Sequence, residues 1–244
     1  SLGLFQSTKI AIRTLINVIK KTKDRWSDDM RQLYDYFRSS AAYRVRIVLQ
    51  LKGLSYESIN VSLLDNVHQS TRYTQYNPQG LVPTLVEDDG VMLTQSLAIC
   101  EYLDEIYPVP PILPWDAVGR ARVRALAQTI ACDIHPLNNL RVLRYLEQNL
   151  GLSAAKKITW YHHWVTAGFD ALELQLQQTR GEYCYGDTVT LADVCLVPQV
   201  YNALRFHCDM TNYPTIMEIS NNCLNQYAFL SASPEHNFNL REGL

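Results

Sequence analysis

The chain has 244 residues, 47% of them hydrophobic and 19% charged, which is ordinary for a soluble globular protein and enough for one large or two small domains. A formal charge of −2 gives no electrostatic case for nucleic-acid binding, and no apolar run approaches the length of a membrane span. Six cysteines without a CxxC pair or zinc-like spacing predict reduced, mostly buried thiols and no metal site, as in a cytoplasmic protein.

Residues 1–29 differ in character from the rest of the chain. Ile10, Ile12, Leu15, Ile16, Val18 and Ile19 lay an apolar stripe at helical spacing, flanked by Lys9, Arg13, Lys20, Lys21, Lys23 and Arg25. These six basic residues against Asp24, Asp28 and Asp29 give the segment +3, which leaves −5 for residues 30–244 of a chain whose total is −2. A basic amphipathic helix of this kind fits a membrane-surface anchor, an organelle presequence or a helix docked on the main body. The aspartates and the weak apolar face argue against the presequence. A further reading is an upstream extension with no part in catalysis, the body of the protein starting at Met30.

Leu33 to Phe37 is a short apolar and aromatic run that predicts a buried strand. Arg38-Ser39-Ser40 breaks it, and Ala42, Val45, Val48, Leu49 and Leu51 then recur at helical spacing until Lys52-Gly53. A serine pair thus sits where a strand enters a helix, beside unpaired backbone N–H groups at the positive end of a helix dipole. Tyr56 to Leu63 alternates as a second strand, and a strand–helix–strand unit of this size implies a parallel pair with a right-handed crossover. A short helix is expected within residues 66–76, followed by a turn at Asn77-Pro78-Gln79-Gly80. Pro83 lacks the donor that a strand interior needs, so it marks the start of a strand or a cis peptide bond in Leu81 to Val86. Asp88-Asp89-Gly90 turns a hairpin into Val91 to Thr94. Ser96 is expected to cap a helix over Leu97 to Tyr107, whose N-terminus is a natural seat for a carboxylate.

Pro108, Pro110, Pro111 and Pro114 exclude helix or central strand and mark a linker over residues 108–115. Everything beyond reads as helix. A long one runs from Asp116 to Ala131 and is bent at His135-Pro136; residues 137–149, 153–178, 190–206 and 213–224 supply the others. Thr190-Leu191-Ala192-Asp193 is a capping box.

The string from Arg38 to Ile47, RSSAAYRVRI, resembles the RSSCxxRVRI signature of the zeta-class glutathione transferases. Val82-Pro83-Thr84-Leu85, Gln95-Ser96 and the stretch from Asp187 to Arg205 match elements of the same superfamily, and the resemblance covers residues 30–230. It implies an α/β thioredoxin-like N-terminal domain over residues 30–107 and an all-α helical C-terminal domain over residues 116–244. It also implies glutathione as cofactor, with Ser39 as the catalytic hydroxyl at the thiolate. Ser40, Val82, Gln95, Ser96, His135 and Asn139 become glutathione ligands, Val82 offering its backbone to the cysteinyl part and Gln95-Ser96 holding the γ-glutamyl end. The implied activity is glutathione-dependent cis–trans isomerisation of maleylacetoacetate to fumarylacetoacetate in tyrosine and phenylalanine breakdown, by a cytoplasmic homodimer. Maleylpyruvate isomerisation, halide displacement from small halo-acids and a non-catalytic binding or regulatory role are the alternatives. One position departs from the pattern: the cysteine after the two serines is Ala41 here, which removes any side role of that thiol but not the serine's.

A diacid substrate requires fixed positive charge, for which Arg38, Arg141 and Arg205 are the candidates. Arg44 and Arg46, on the first helix, read instead as members of structural ion pairs, and Trp160 with Trp164 as a packing face. Lowering a thiol pKa of about 8.5 by roughly two units takes about 2.7 kcal/mol. A helix dipole gives about 0.3–1 kcal/mol and a hydrogen bond to a charged group about 1.5–3, so the dipole falls short alone and suffices with the Ser39 hydroxyl.

Overall fold

The computed structural model describes residues 30–242; the basic N-terminal segment lies outside them. Leu33 and Asp35 project from the same face of strand β1 (Gln32–Asp35) and are both fully buried. Helix α1 (Ser40–Leu51) then crosses to β2 (Glu57–Asn60), which pairs parallel with β1, Leu33 opposite Ser58. After a 3₁₀ turn at Val67–Gln69 and the single-turn helix α2 (Thr71–Thr74), β3 (Thr84–Val86) returns antiparallel to β1, and β4 (Met92–Thr94) forms a hairpin with β3. The sheet order is β2-β1-β3-β4, and helix α3 (Ser96–Ile106) packs against α1. This is the thioredoxin-like half. Pro83 resolves as a cis Val82–Pro83 peptide directly before β3.

The second half is helical. Asp116 caps α4 (Ala117–Gln128), its carboxylate accepting from the Gly119 N–H at 2.8 Å. Instead of a simple bend before Pro136, the chain widens into a π turn over Thr129–Ile134 and continues as the short helix α5 (His135–Asn138). A proline cannot donate to the carbonyl four residues back and its ring crowds that carbonyl, a conflict the wider turn relieves. The remaining helices are α6 (Leu140–Gln148), α7 (Ala154–Thr179), α8 (Leu191–Arg205), α9 (Pro214–Leu224), α10 (Tyr227–Ser231) and α11 (Pro234–Glu242). The last two have no counterpart among the helices expected from the sequence, which stop at residue 224. The Asp193 carboxylate takes the N–H groups of Thr190 at 2.7 Å and Cys184 at 2.8 Å, so the capping box also ties down the loop before α8.

Helix α1 is buried almost all round because α3 covers one side while α8 and α10 cover others. Two of its buried side chains are arginines. Arg46 pairs with Asp35 at 2.7 Å, both side chains fully buried, and donates further to the carbonyls of Phe37 and Ala232, each at 2.9 Å. Tyr43 donates to the Phe229 carbonyl at 3.0 Å. These bonds pin the segment from α10 to α11 against α1 and hold the strand-to-helix junction from both sides. Removing one partner of a buried pair leaves an uncompensated charge, so Asp35→Ala is expected to lower the unfolding free energy by about 3–5 kcal/mol. Urea unfolding checks this, and a loss below about 1 kcal/mol would show that the pair is not what holds the junction.

Candidate active site

A cavity of about 480 Å³ lies where the ends of α1, β3 and α3 face the π turn, α5 and α6. Ser39, Val82, Gln95, Ser96, His135, Asn139 and Arg141 line it, so seven of the residues singled out in the sequence converge from both halves of the chain. Ala41 faces the same space, and so does the exposed Cys132 of the π turn.

Ser39 is the N-cap of α1: its Oγ accepts from the Ala42 N–H at 3.2 Å, and its own N–H donates to the Tyr36 carbonyl at 2.8 Å. Capping uses an oxygen lone pair only, which leaves the hydroxyl proton for an acceptor in the cavity. Ser40 does not line the cavity. One step further round the helix it is buried against α8, where its Oγ takes an N–H from the Asn202 amide and approaches the Pro198 carbonyl at 3.5 Å.

The other anchors sit on irregular backbone. Gln95 has φ +70° and ψ 111°, a conformation that costs a non-glycine residue about 1–3 kcal/mol, and its amide donates to the Gln79 side chain at 2.8 Å. Gln95, not Ser96, is the N-cap of α3. Ser96 is the first helical residue, and its hydroxyl accepts from Arg44 Nη1 at 3.2 Å instead of capping. Asn139 caps α6 by accepting from the Arg141 N–H at 3.0 Å.

Among the described residues, three arginines, Arg44, Arg141 and Arg144, line the cavity, and no aspartate or glutamate does. Arg144 went unnoticed in the sequence, although its spacing of three from Arg141 puts both on one helix face. It bridges the halves, donating to the Asn66 side chain at 2.7 Å and the Leu63 carbonyl at 3.1 Å. A larger hollow of about 670 Å³ along the proline-rich linker has a more acidic lining, with Glu101, Asp104, Glu105, Asp116 and Asp187 beside Arg120. Arg38 and Arg205 lie outside the lining of either cavity. They are exposed, stacked over Phe37 and Phe206, and both act on the hydroxyl of Tyr201, partly offsetting the burial and the Glu235 contact that push it up to about 12. Neither has an ion-pair partner among the described residues.

Residues 31–105 match the model of the glutathione S-transferase N-terminal domain. The chain is 50% identical over 206 residues to a probable maleylacetoacetate isomerase of Vibrio cholerae, covering 84% of this chain and 95% of that one. Among solved structures, a bacterial zeta-class glutathione transferase described as a maleylpyruvate isomerase superposes with a TM-score of 0.82 at 46% identity, over 84% of this chain and 97% of its own. A maleylacetoacetate isomerase of Methylobacterium extorquens AM1 with bound malonate and glutathione gives 0.82 at 39% identity, over 84% and 97%. A thioredoxin-like half, a helical half and an acid-free cavity between them define a glutathione transferase fold, and the chain belongs to that family. Within it, the maleylpyruvate isomerase structure it matches at 46% identity is described as zeta class.

His135 is held neutral, pushed down to about 3 first by burial and then by the charges of Arg44 and Arg141. An unfolded imidazole takes a proton near pH 6.5, so on acidification the unfolded state is protonated first. Stability that is full above about pH 6.5 is therefore lost toward pH 3, at up to about 1.4 kcal/mol per pH unit. His135→Gln is expected to flatten this slope in urea unfolding between about pH 7 and 4. An unchanged slope would mean that the folded protein protonates His135 readily.

Proposed function

We propose that this protein is a glutathione-dependent cis–trans isomerase that converts maleylacetoacetate to fumarylacetoacetate. The observation that carries the reading is the acid-free, arginine-lined cavity onto which a helix N-cap serine turns its hydroxyl. Glutathione fits the donors present, since its carboxylates match the α3 N-terminus at Ser96 and the arginine-bearing wall, and its cysteinyl backbone matches Val82 before the cis peptide. When bound it supplies a thiolate that adds reversibly to the activated alkene, leaving a single bond that turns before the thiolate departs.

The chain's own residues then have separate tasks. Ser39 donates its hydroxyl proton as a hydrogen bond to the sulfur and, with the α1 dipole, favours the anion. Neutral His135 offers a hydrogen bond in place of a competing charge. Arg38, immediately before Ser39, and Arg205, one turn beyond the Asn202 that holds Ser40, each act on the Tyr201 hydroxyl and have no ion-pair partner among the described residues. We assign them to the substrate carboxylates and Arg141 to the wall they share with glutathione. Residues 30–107 are taken as the glutathione domain, 108–115 as the linker and 116–244 as the substrate domain. A cytoplasmic homodimer goes with this reading, for which sedimentation equilibrium should return twice the 28.0 kDa chain mass.

A second reading, maleylpyruvate isomerase, is favoured by the solved relative of that description. Turnover of maleylacetoacetate and maleylpyruvate by the same preparation separates the two, and absence of glutathione-dependent turnover of either would overturn both. Ser39→Ala should cost about 1 kcal/mol of stability through the lost cap and reduce kcat at least tenfold. The bound thiol should titrate higher by ultraviolet absorbance; near wild-type turnover with an unchanged thiol pKa would remove Ser39 from the mechanism. Arg205→Met should raise KM for the diacid and leave glutathione affinity in calorimetry unaltered. A defect confined to glutathione binding would place Arg205 on the wrong ligand.

A further inference from the structure

Two arginines two positions apart on α1 are buried to the same degree and treated differently. Arg46 meets a carboxylate and two carbonyls. Arg44, 2% exposed, makes one hydrogen bond, to the neutral Ser96 hydroxyl; its Nε and Nη2 are shielded and have no acceptor, and no carboxylate pairs with it among the described residues. An uncompensated buried guanidinium is strongly destabilising, and an apolar side chain in its place would be tolerated better by the fold alone. Its other charged or titratable neighbours do not offset it: His135 is neutral, Cys100 and Cys195 are thiols raised by burial, and Arg141 is another cation. Arg44 lines the cavity, so with no carboxylate beside it among the described residues a counter-charge is within reach from a bound molecule.

The contact with Ser96 says which part of that molecule. Ser96 opens α3, where the first backbone N–H groups have no intrahelical acceptor. With one lone pair of its oxygen taken by Arg44, the hydroxyl is turned into a donor, and the helix end, the hydroxyl and the guanidinium behind it form one graded positive seat. We infer that Arg44 is a positioning residue of the glutathione site, the buried counter-charge of the γ-glutamyl α-carboxylate, acting through the hydroxyl of Ser96. This rests on the glutathione reading above and adds a residue that the sequence assigned to a structural ion pair.

The test is calorimetric binding of glutathione and of the tripeptide that lacks only the α-carboxylate of its γ-glutamyl residue, to wild type, R44M and R44K. Arg44→Met should weaken glutathione roughly ten- to hundredfold, bind the decarboxylated peptide as wild type does, and melt at the same temperature or higher. Arg44→Lys should restore part of the difference. Equal weakening of both peptides, or unchanged glutathione affinity, would overturn the inference. Should R44M fail to fold, R44K carries the same comparison, since a lysine keeps the charge but not the fork: a loss specific to glutathione supports the role, and an equal loss for both peptides refutes it. Wild-type protein that binds neither peptide would instead bring down the functional reading itself.

Discussion

The ion pair between Arg46 and Asp35 is the constraint on which the rest of the molecule depends. A carboxylate at the end of β1, a guanidinium on α1, the Phe37 carbonyl between them and the Ala232 carbonyl from the far end of the chain meet around one fully buried ion pair. In such surroundings a pair has little latitude, because any displacement exposes a charge to a medium that cannot solvate it. The turn Arg38-Ser39-Ser40 hangs between the two ends of that cluster. The direction of the Ser39 hydroxyl is thus set by side chains that do not touch it.

From that fixed junction the two serines diverge by the geometry of a helix start. Ser39 remains outside the first turn and faces the cavity, and Ser40 enters it and is carried against α8. One serine turns a proton toward the ligand side and the other holds the helical half in place. Arg38 and Arg205 both act on the Tyr201 hydroxyl, and Arg144 bridges the halves by gripping the loop at Leu63 and Asn66. The interface between the halves is therefore also the construction of the site.

Electrostatically the cavity is built by omission as much as by placement. Among the described residues it carries three arginines and the N-terminal ends of α1 and α3, while the carboxylates Glu101, Asp104 and Glu105 line the separate hollow along the linker. His135, which could have added a fourth charge, is kept neutral first by burial and then by the neighbouring charges of Arg44 and Arg141. Gln95 holds an unfavourable backbone conformation at the N-cap of α3, on the wall of the cavity.

The sequence by itself determined the superfamily, the order of strands and helices, and the serine at the α1 junction, because these are carried by local patterns: alternation, capping, a proline before a strand, a short motif. It also singled out Val82, Gln95-Ser96 and His135, which line the cavity. It misread Ser96 as a cap, because a serine before a helix looks the same whether its oxygen accepts from its own backbone or from an arginine 52 residues away. It treated Arg44 and Arg46 alike, since both are buried arginines of one helix and only the position of Asp35 relative to the cavity tells them apart. The two helices after residue 224 escaped because they are short, and the first of them is held on α1 through Tyr43 and Arg46, a long-range contact. What tertiary structure alone decided is which polar groups meet a partner and which are left facing the ligand, because partners more than one turn away along the chain leave no periodic trace in it.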